Sequence, residues 1–267
     1  MRRKLSASAI STFLESPRKY YYRYIYNGGV EPIGQSVGDF SHDRILGSIW
    51  SEFVDRFYKG VSEADNTAKS LASWHEQVEG WVPPKVMAKY TEALATWAMT
   101  YYQQFDPKDG VRNGSEKLVE NERFLGYLDG LSANHKIIHE NKSTSRAQNL
   151  SEQMLKVQTS LQIKLYAVLT RAEGVLIEFA FKDAPYAILR TPIYTWTPAQ
   201  IDAWELQFNA LADTIWALGN NPNHYLCVPE NCSIIGRGMT SICGYQSLCL
   251  GIDGCDVAFQ TKTNRRK

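Results

Sequence analysis

Gly126-Tyr127-Leu128-Asp129-Gly130 and Glu140-Asn141-Lys142 are the stretch on which the fold turns, with ten residues between Asp129 and Glu140. Side chains two apart on a strand share a face, so Glu140 and Lys142 point together and Asn141 points away. Ala133-Asn134 reads as a two-residue turn. That turn would pair Ser132 with His135 and set Asp129 opposite Ile138. Asp129 would then share a face with Glu140, one diagonal step away, at roughly 7–8 Å between α-carbons; a three-residue turn would reverse the parity. Two carboxylates at that separation can converge on one divalent ion that keeps several waters. Such an ion polarises a phosphate and lowers the pKa of bound water, and a lysine beside it positions the nucleophile or stabilises developing charge. On an exposed hairpin the same triplet would be an ordinary mixed-charge face.

The next segment bears on that choice. Leu150 to Arg171 has the spacing of one amphipathic helix, with Gln158, Gln162 and Tyr166 at i, i+4 and i+8 and Leu155, Leu161, Leu165 and Leu169 on the other side. A solvated edge would look similar. Directly after an acidic hairpin, the stripe reads as the wall of an active site, with groups able to hydrogen-bond phosphate or a catalytic water.

Working outward, Lys117–Phe124, Leu125–Ser132 and His135–Ser143 read as strands, as do Val175–Lys182 and Tyr186–Tyr194. Thr197 opens a helix, with Pro198 in its first turn, that runs to about Leu218. Toward the front, Ser6–Glu15 reads as a short helix with Ile10, Phe13 and Leu14 on one side. Ser16-Pro17 then fits an N-cap and a proline at the first helical position, restarting a helix through Tyr26. Gly28–Gly38 is loop, and residues 43–59 and 65–105 are helical by apolar spacing, interrupted at Pro83-Pro84. The order predicts an α/β class: a central mixed sheet with flanking helices, a helical insertion near the N-terminus, and a cysteine-rich C-terminal segment. The expected boundaries are 1–219 for the main domain, with helices over 1–115 and the core over 116–219, and 220–267 for the tail, which reads as loop.

The 267 residues suffice for a substantial core, and 44% hydrophobic with 21% charged residues excludes wholesale disorder. Net charge is +1, so attraction to polyanions has to be local. Two basic clusters qualify: Arg2, Arg3, Lys4, Arg18, Lys19 and Arg23, and Lys262, Arg265, Arg266 and Lys267. Either could be a solvated terminus or helix face. The tyrosines between Tyr20 and Tyr26 could stack bases beside Arg18, Lys19 and Arg23, or pack on a core with their hydroxyls at the surface. No run of 18 apolar residues is present, and Leu5–Thr12 is too short and polar for a signal peptide's apolar region. A cytoplasmic protein, without a membrane partner, is expected.

These motifs together resemble the RecB-type branch of the PD-(D/E)XK nuclease superfamily, over most of the chain. Leu5 to Tyr24 resembles the family's opening helix, and Leu46-Gly47-Ser48 its second helical motif. Asp129, Glu140 and Lys142 match its metal-binding and catalytic triplet, and Gln162-Ile163-Lys164-Leu165-Tyr166 its Gln-x-x-x-Tyr helix. The resemblance implies a restriction-endonuclease-like core and a Mg2+- or Mn2+-dependent deoxyribonuclease. Such enzymes are often exonucleases in recombination, repair or phage replication, with DNA and recombination or replication proteins as partners, working in the host cytoplasm if phage-encoded. It implies Asp129 and Glu140 as metal ligands and Lys142, Gln162 and Tyr166 as catalytic residues. Two positions depart from the pattern. Ser16 stands where iron–sulfur members, including CRISPR-adaptation exonucleases and phage relatives, have a cysteine. Ser51 stands where many members have a histidine, four residues after Gly47, with Glu52 as a possible substitute.

All five cysteines, Cys227, Cys232, Cys243, Cys249 and Cys255, lie in the tail. Their clustering points to metal or free thiols before disulfides. Cys243 and Cys249 match the family's final cluster pair, Cys232 is the third candidate, and Cys227 or Cys255 is available as a fourth ligand for a 4Fe–4S cluster. A zinc site with His224 nearby, or unligated thiols, are the alternatives. For the whole chain, the alternative to a nuclease is a catalytically weak or inactive DNA-binding or partner-docking module with the same fold. A redox or structural metalloprotein would leave the hairpin unexplained. A cluster predicts visible absorbance in protein prepared without oxygen; no absorbance and no bound zinc would make the tail purely structural.

Overall fold

The computed structural model describes residues 3–28, 30–32, 42–107, 117–145, 150–225, 233–236, 239–242 and 259–261. All five cysteines, Arg2 and the C-terminal basic cluster lie outside them, as does the side chain of Gln158. In chain order the elements are α1 (Ala7–Glu15), α2 (Pro17–Tyr20), β1 (Val30–Pro32), α3 (His42–Tyr58), α4 (Glu63–Val78), α5 (Pro84–Gln104), β2 (Lys117–Glu120), β3 (Leu125–Leu128), β4 (Gly130–Leu131) and β5 (Ile137–Thr144). There follow α6 (Leu150–Gln158), α7 (Leu161–Thr170), β6 (Gly174–Phe181), β7 (Ile188–Arg190), β8 (Tyr194–Thr195), α8 (Pro198–Ala217), β9 (Ser233–Gly236), β10 (Met239–Ile242) and β11 (Phe259–Thr261). The chain divides into two compact units, one of residues 1–39, 122–124 and 206–267, the other of 40–121 and 125–205.

In the first unit, Ser6 caps α1 by accepting from the Ala9 amide, and Ile10 and Phe13 are buried. Leu14, expected beside them, is 51% exposed instead, because the buried face of α1 runs through Ala9, Ile10, Thr12 and Phe13 and leaves position 14 beyond its edge. Ser16 is buried and its hydroxyl accepts from the Lys19 amide, with Pro17 at the first helical position, as expected. Beyond Tyr20 the helix widens into a π turn (Tyr21–Ile25) and closes in a 3-10 turn (Tyr26–Gly28). Tyr20 and Tyr21 are buried against Tyr225, with ring centroids 6.3 and 5.1 Å away, so these two tyrosines belong to the core. The tail is not all loop: β9 pairs β10, and β11 pairs β1, both antiparallel.

The second unit is built on a mixed sheet of order β4-β5-β6-β7, with β8 also on β6. β5 and β6 are parallel and the other pairs antiparallel. Every residue of β6 is buried, as a strand covered on both faces requires. Val175, Ile177 and Phe179 pack with Ile163, Tyr166 and Ala167 of α7. Ala180 and Ile188 pack on the opposite side with α3, α4 and α5. In α3, Leu46, Ile49, Trp50, Phe53, Val54 and Phe57 recur at three- and four-residue spacing and are all buried. The helix ends in a Schellman motif. Gly60, at φ +77°, donates to Phe57 and Val61 donates to Arg56. α4 and α5 bracket Pro83-Pro84, where the sequence places the break.

One polar group lies deep in the α3–α5 side. Glu178 of β6 is fully buried, accepts from Arg190 Nε at 2.8 Å and from Tyr101 Oη at 2.9 Å, and Arg190 sits 3.8 Å over the Phe105 ring. Removing one partner strands the other's charge away from water, which costs about 3–5 kcal/mol. Arg190→Met is therefore expected to lower urea-unfolding stability by about that amount, and Glu178→Leu/Arg190→Met to recover most of it.

Candidate active site

β5 presents Glu140 and Lys142 to the α7 side of the sheet. Its parallel register sets Glu140 beside Ile177 and Lys142 beside Phe179, both members of the core on that side. Asn141 registers with Glu178 and belongs to the other face. Asp129 comes from the break between β3 and β4. Gly130 pairs His139 and Leu131 pairs Ile138, so one step further along the register sets Asp129 across from Glu140. The expected pairing with Ile138 is thus shifted by two. Ser132 pairs with Ile137, its amide donating to Ile137 O at 2.8 Å, and the connection is four residues long instead of two. His135, at φ +61°, donates to Ser132 O at 2.8 Å, and Asn134 Oδ1 accepts from the Lys136 amide at 3.1 Å. The asparagine thus serves the loop through its side chain and not as a tight-turn corner. Two added residues leave the parity of the β4–β5 pairing unchanged, but Asp129 lies in the break before β4, and its carboxylate is directed by its hydrogen bonds and not by that ladder.

The polar partners of these groups are specific. Asp129 Oδ2 accepts from the Asn141 backbone N–H at 2.9 Å, and Asp129 Oδ1 accepts from the Ser51 hydroxyl at 3.3 Å. The Ser51 oxygen in turn accepts from Asn141 Nδ2 at 3.3 Å. Glu140 is buried, and the Lys142 ammonium donates to its Oε1. The Lys142 side chain remains 38% exposed, so it is open to a ligand while its partner is sheltered. Burial pulls the Lys142 pKa down, but the adjoining Glu140 carboxylate, and then Asp129, outweigh it, and the net shift is upward. Lys142 is therefore a cation here.

The helix after β5 is not continuous. It breaks at Thr159-Ser160, where Ser160 caps α7 by accepting from the Gln162 amide at 3.2 Å. A serine that can satisfy a free helix N–H outcompetes continuation. The expected three-residue stripe is therefore interrupted after Gln158, and Leu155, on the apolar side of the expected helix, is 58% exposed. Gln162 and Tyr166 share α7, with Gln162 Nε2 donating to Tyr166 Oη at 2.9 Å. Tyr166 is buried, and its hydroxyl donates to the Tyr127 carbonyl at 2.5 Å. Burial first, then the Glu140 carboxylate, push its pKa up to about 12. The Tyr166 proton is thus committed to β3, and the ring braces the strand that leads to Asp129. Gly126 makes room for it: a Cβ there would lie 2.4 Å from the Tyr166 ring. A glycine inside a strand signals such close approach, and this signal was available in the sequence. The contacts of Ser51 and Asn141 were not.

Asp129 and Glu140 are the acidic groups this arrangement brings together. Among the described residues no group of three His, Cys, Asp or Glu side chains is placed to hold a metal ion. A pair of carboxylates fits a hard ion that retains several waters, such as Mg2+, better than an all-protein zinc or calcium cage. Glu52, the possible substitute for a histidine, pairs with Arg56 at 3.3 Å on an exposed face of α3. Arg18, Lys19 and Arg23, the candidate DNA contacts, lie in the first unit. There Arg18 Nε donates to the Tyr225 carbonyl at 2.8 Å, Lys19 pairs with Glu15 at 2.9 Å, and Arg23 lies 5.8 Å from the Tyr24 ring centre. Among the described residues no helix is long and apolar enough to cross a membrane.

Overpacking a site of this kind costs about 1–3 kcal/mol. Gly126→Ala should accordingly lower thermal stability, and Gly126→Ala/Tyr166→Leu, which removes the ring, should restore some of the loss.

A model of the PD-(D/E)XK nuclease superfamily matches residues 4–249. No curated protein matches the chain. Among solved structures, a phage-related exonuclease from Haemophilus somnus 129PT aligns at 12% identity, over 80% of this chain and 93% of that one, with a TM-score of 0.39.

Proposed function

The chain belongs to the PD-(D/E)XK nuclease superfamily, and from that premise we propose that it is a Mg2+- or Mn2+-dependent deoxyribonuclease acting on DNA ends or single strands. The observation that supports the reading is a buried Glu140 carboxylate paired with the protonated Lys142 ammonium on one face of β5, with the Asp129 carboxylate at the β3–β4 break near enough to help hold that ammonium's pKa up. Preference for ends, and a place in recombination, repair or phage replication, rest on the likeness of Leu5–Tyr24 and of the Gln162-to-Tyr166 helix to the RecB-type branch.

In this reading Asp129 and Glu140 hold the ion. When bound, it polarises a phosphoryl oxygen and lowers the pKa of a coordinated water. Lys142 stands at the exposed edge of the site, where its charge stabilises negative charge on the phosphate or orients the attacking water. Glu140 keeps that ammonium in place and keeps it protonated. Tyr166, tied to Tyr127, holds β3 so that Asp129 faces Glu140, and Gln162 orients Tyr166. Arg18, Lys19 and Arg23 are proposed contacts to the DNA backbone, which a near-neutral chain has to supply locally. Cys232, Cys243 and Cys249, with Cys227 or Cys255, are proposed ligands of a cluster or zinc ion.

End-labelled single- and double-stranded DNA, incubated with the chain with and without Mg2+ or Mn2+, tests the reading. Degradation is expected only with added metal. Asp129→Ala and Lys142→Ala should each cut the rate by at least about 100-fold, the scale of losing one group that stabilises transition-state charge. Activity surviving both substitutions removes the site. DNA binding with no cleavage in either metal would favour the docking-module alternative.

A further inference from the structure

Asp129 has an unusual problem of orientation. It lies outside both flanking strands, β3 ending at Leu128 and β4 beginning at Gly130, so no ladder pairing of its own fixes its direction. The β4–β5 ladder stops at the Gly130–His139 pair. Two residues beyond His139, the Asn141 N–H would meet residue 128 if the pairing continued. The Asp129 carboxylate takes that N–H instead, at 2.9 Å. This leaves the second oxygen, Oδ1, whose partner is the Ser51 hydroxyl on α3 at 3.3 Å. A hydroxyl can rotate, so its donation is directed only if something occupies its lone pair. Asn141 Nδ2 does so at 3.3 Å. Asn141, on the face away from Glu140 and Lys142, thus serves Asp129 twice, through its backbone and through Ser51.

The close seat of α3 on β5 makes this reach possible. A Cβ on Gly47 would lie 3.3 Å from Ser143 Oγ, and Ser51 is one helical turn further along the same face of α3. A side chain at position 47 would press on the Ser143 hydroxyl at this contact.

We infer that Ser51 and Asn141 are positioning residues that aim the Asp129 carboxylate into the metal site. Ser51 in this chain orients a carboxylate through its hydroxyl. The inference rests on the reading of Asp129 as a metal ligand. Outer partners of this kind typically change metal affinity by about 10- to 100-fold when removed. The effect should therefore be visible in metal binding itself, without nucleic acid and without turnover.

The test is Mn2+ binding to the full chain, read from the electron paramagnetic resonance signal of free Mn2+. The variants are Ser51→Thr, Ser51→Val, Asn141→Ala and Asp129→Ala, each checked for an intact thermal transition. Thr and Val are the same size and differ in the hydroxyl. Ser51→Thr should bind Mn2+ nearly as the parent does, and Ser51→Val about 10-fold more weakly. Asn141→Ala keeps the backbone N–H and should give a smaller loss, not additive with that of Ser51→Val. Equal affinities in the Thr and Val variants, whether both near the parent's or both below it, overturn the inference while leaving Asp129 as a ligand. Parental affinity in Asp129→Ala would remove the ligand assignment, and this inference with it.

Discussion

The eight parallel pairs between β5 and β6, from Ile137–Gly174 to Thr144–Phe181, constrain everything around them. They fix which side of the sheet each residue takes. Glu140 and Lys142 go with Ile177 and Phe179 under α7, while Asn141 goes with Glu178 under α3 and α5. Since β6 is buried on both faces, a one-residue slip would exchange a core of isoleucine and phenylalanine for buried charge. The register is therefore held by burial along the whole strand and not by the candidate site itself.

Both faces then carry a charge next to an apolar core, and the two solutions differ. Glu178 is closed off, with Arg190 and Tyr101 satisfying it and Phe105 covering the guanidinium. Glu140 is equally buried, but its partner Lys142 keeps more than a third of its side chain accessible. The first arrangement organises the fold. The second leaves an ammonium at the surface with a sheltered carboxylate behind it, which suits a group meant to meet an anionic ligand.

Tyr166 and Ser51 approach the Asp129 region from opposite faces of the sheet. Tyr166 holds the Tyr127 carbonyl from α7, and Ser51 holds the carboxylate from α3. Each lies beside a glycine at a close approach, Gly126 under the tyrosine ring and Gly47 against Ser143. The acid at the strand break is thus aimed by two helices whose own positions are set by the two cores.

Much of this was legible from one dimension. The alternation around Glu140 and Lys142, the amphipathic spacing of α3, the Ser16-Pro17 cap and the Pro83-Pro84 break are local patterns, and local patterns follow from strand and helix periodicity. The even parity of the β4–β5 connection also follows, because Ser132 and Ile137 pair across four residues. Its length does not. Asn134 satisfies the Lys136 amide and Ser132 hydroxyl through its side chain, which lengthens the loop by two and moves the pairing register by two. The break between α6 and α7 is hidden in the sequence because the apolar spacing carries on across it, while the Ser160 cap starts a new helix. Ser51 could be seen from the sequence as a departure from the family pattern, but its bond to Asp129 could not. That contact spans 78 residues and exists only because α3 is packed on β5, and separation along the chain carries no information about proximity across a core.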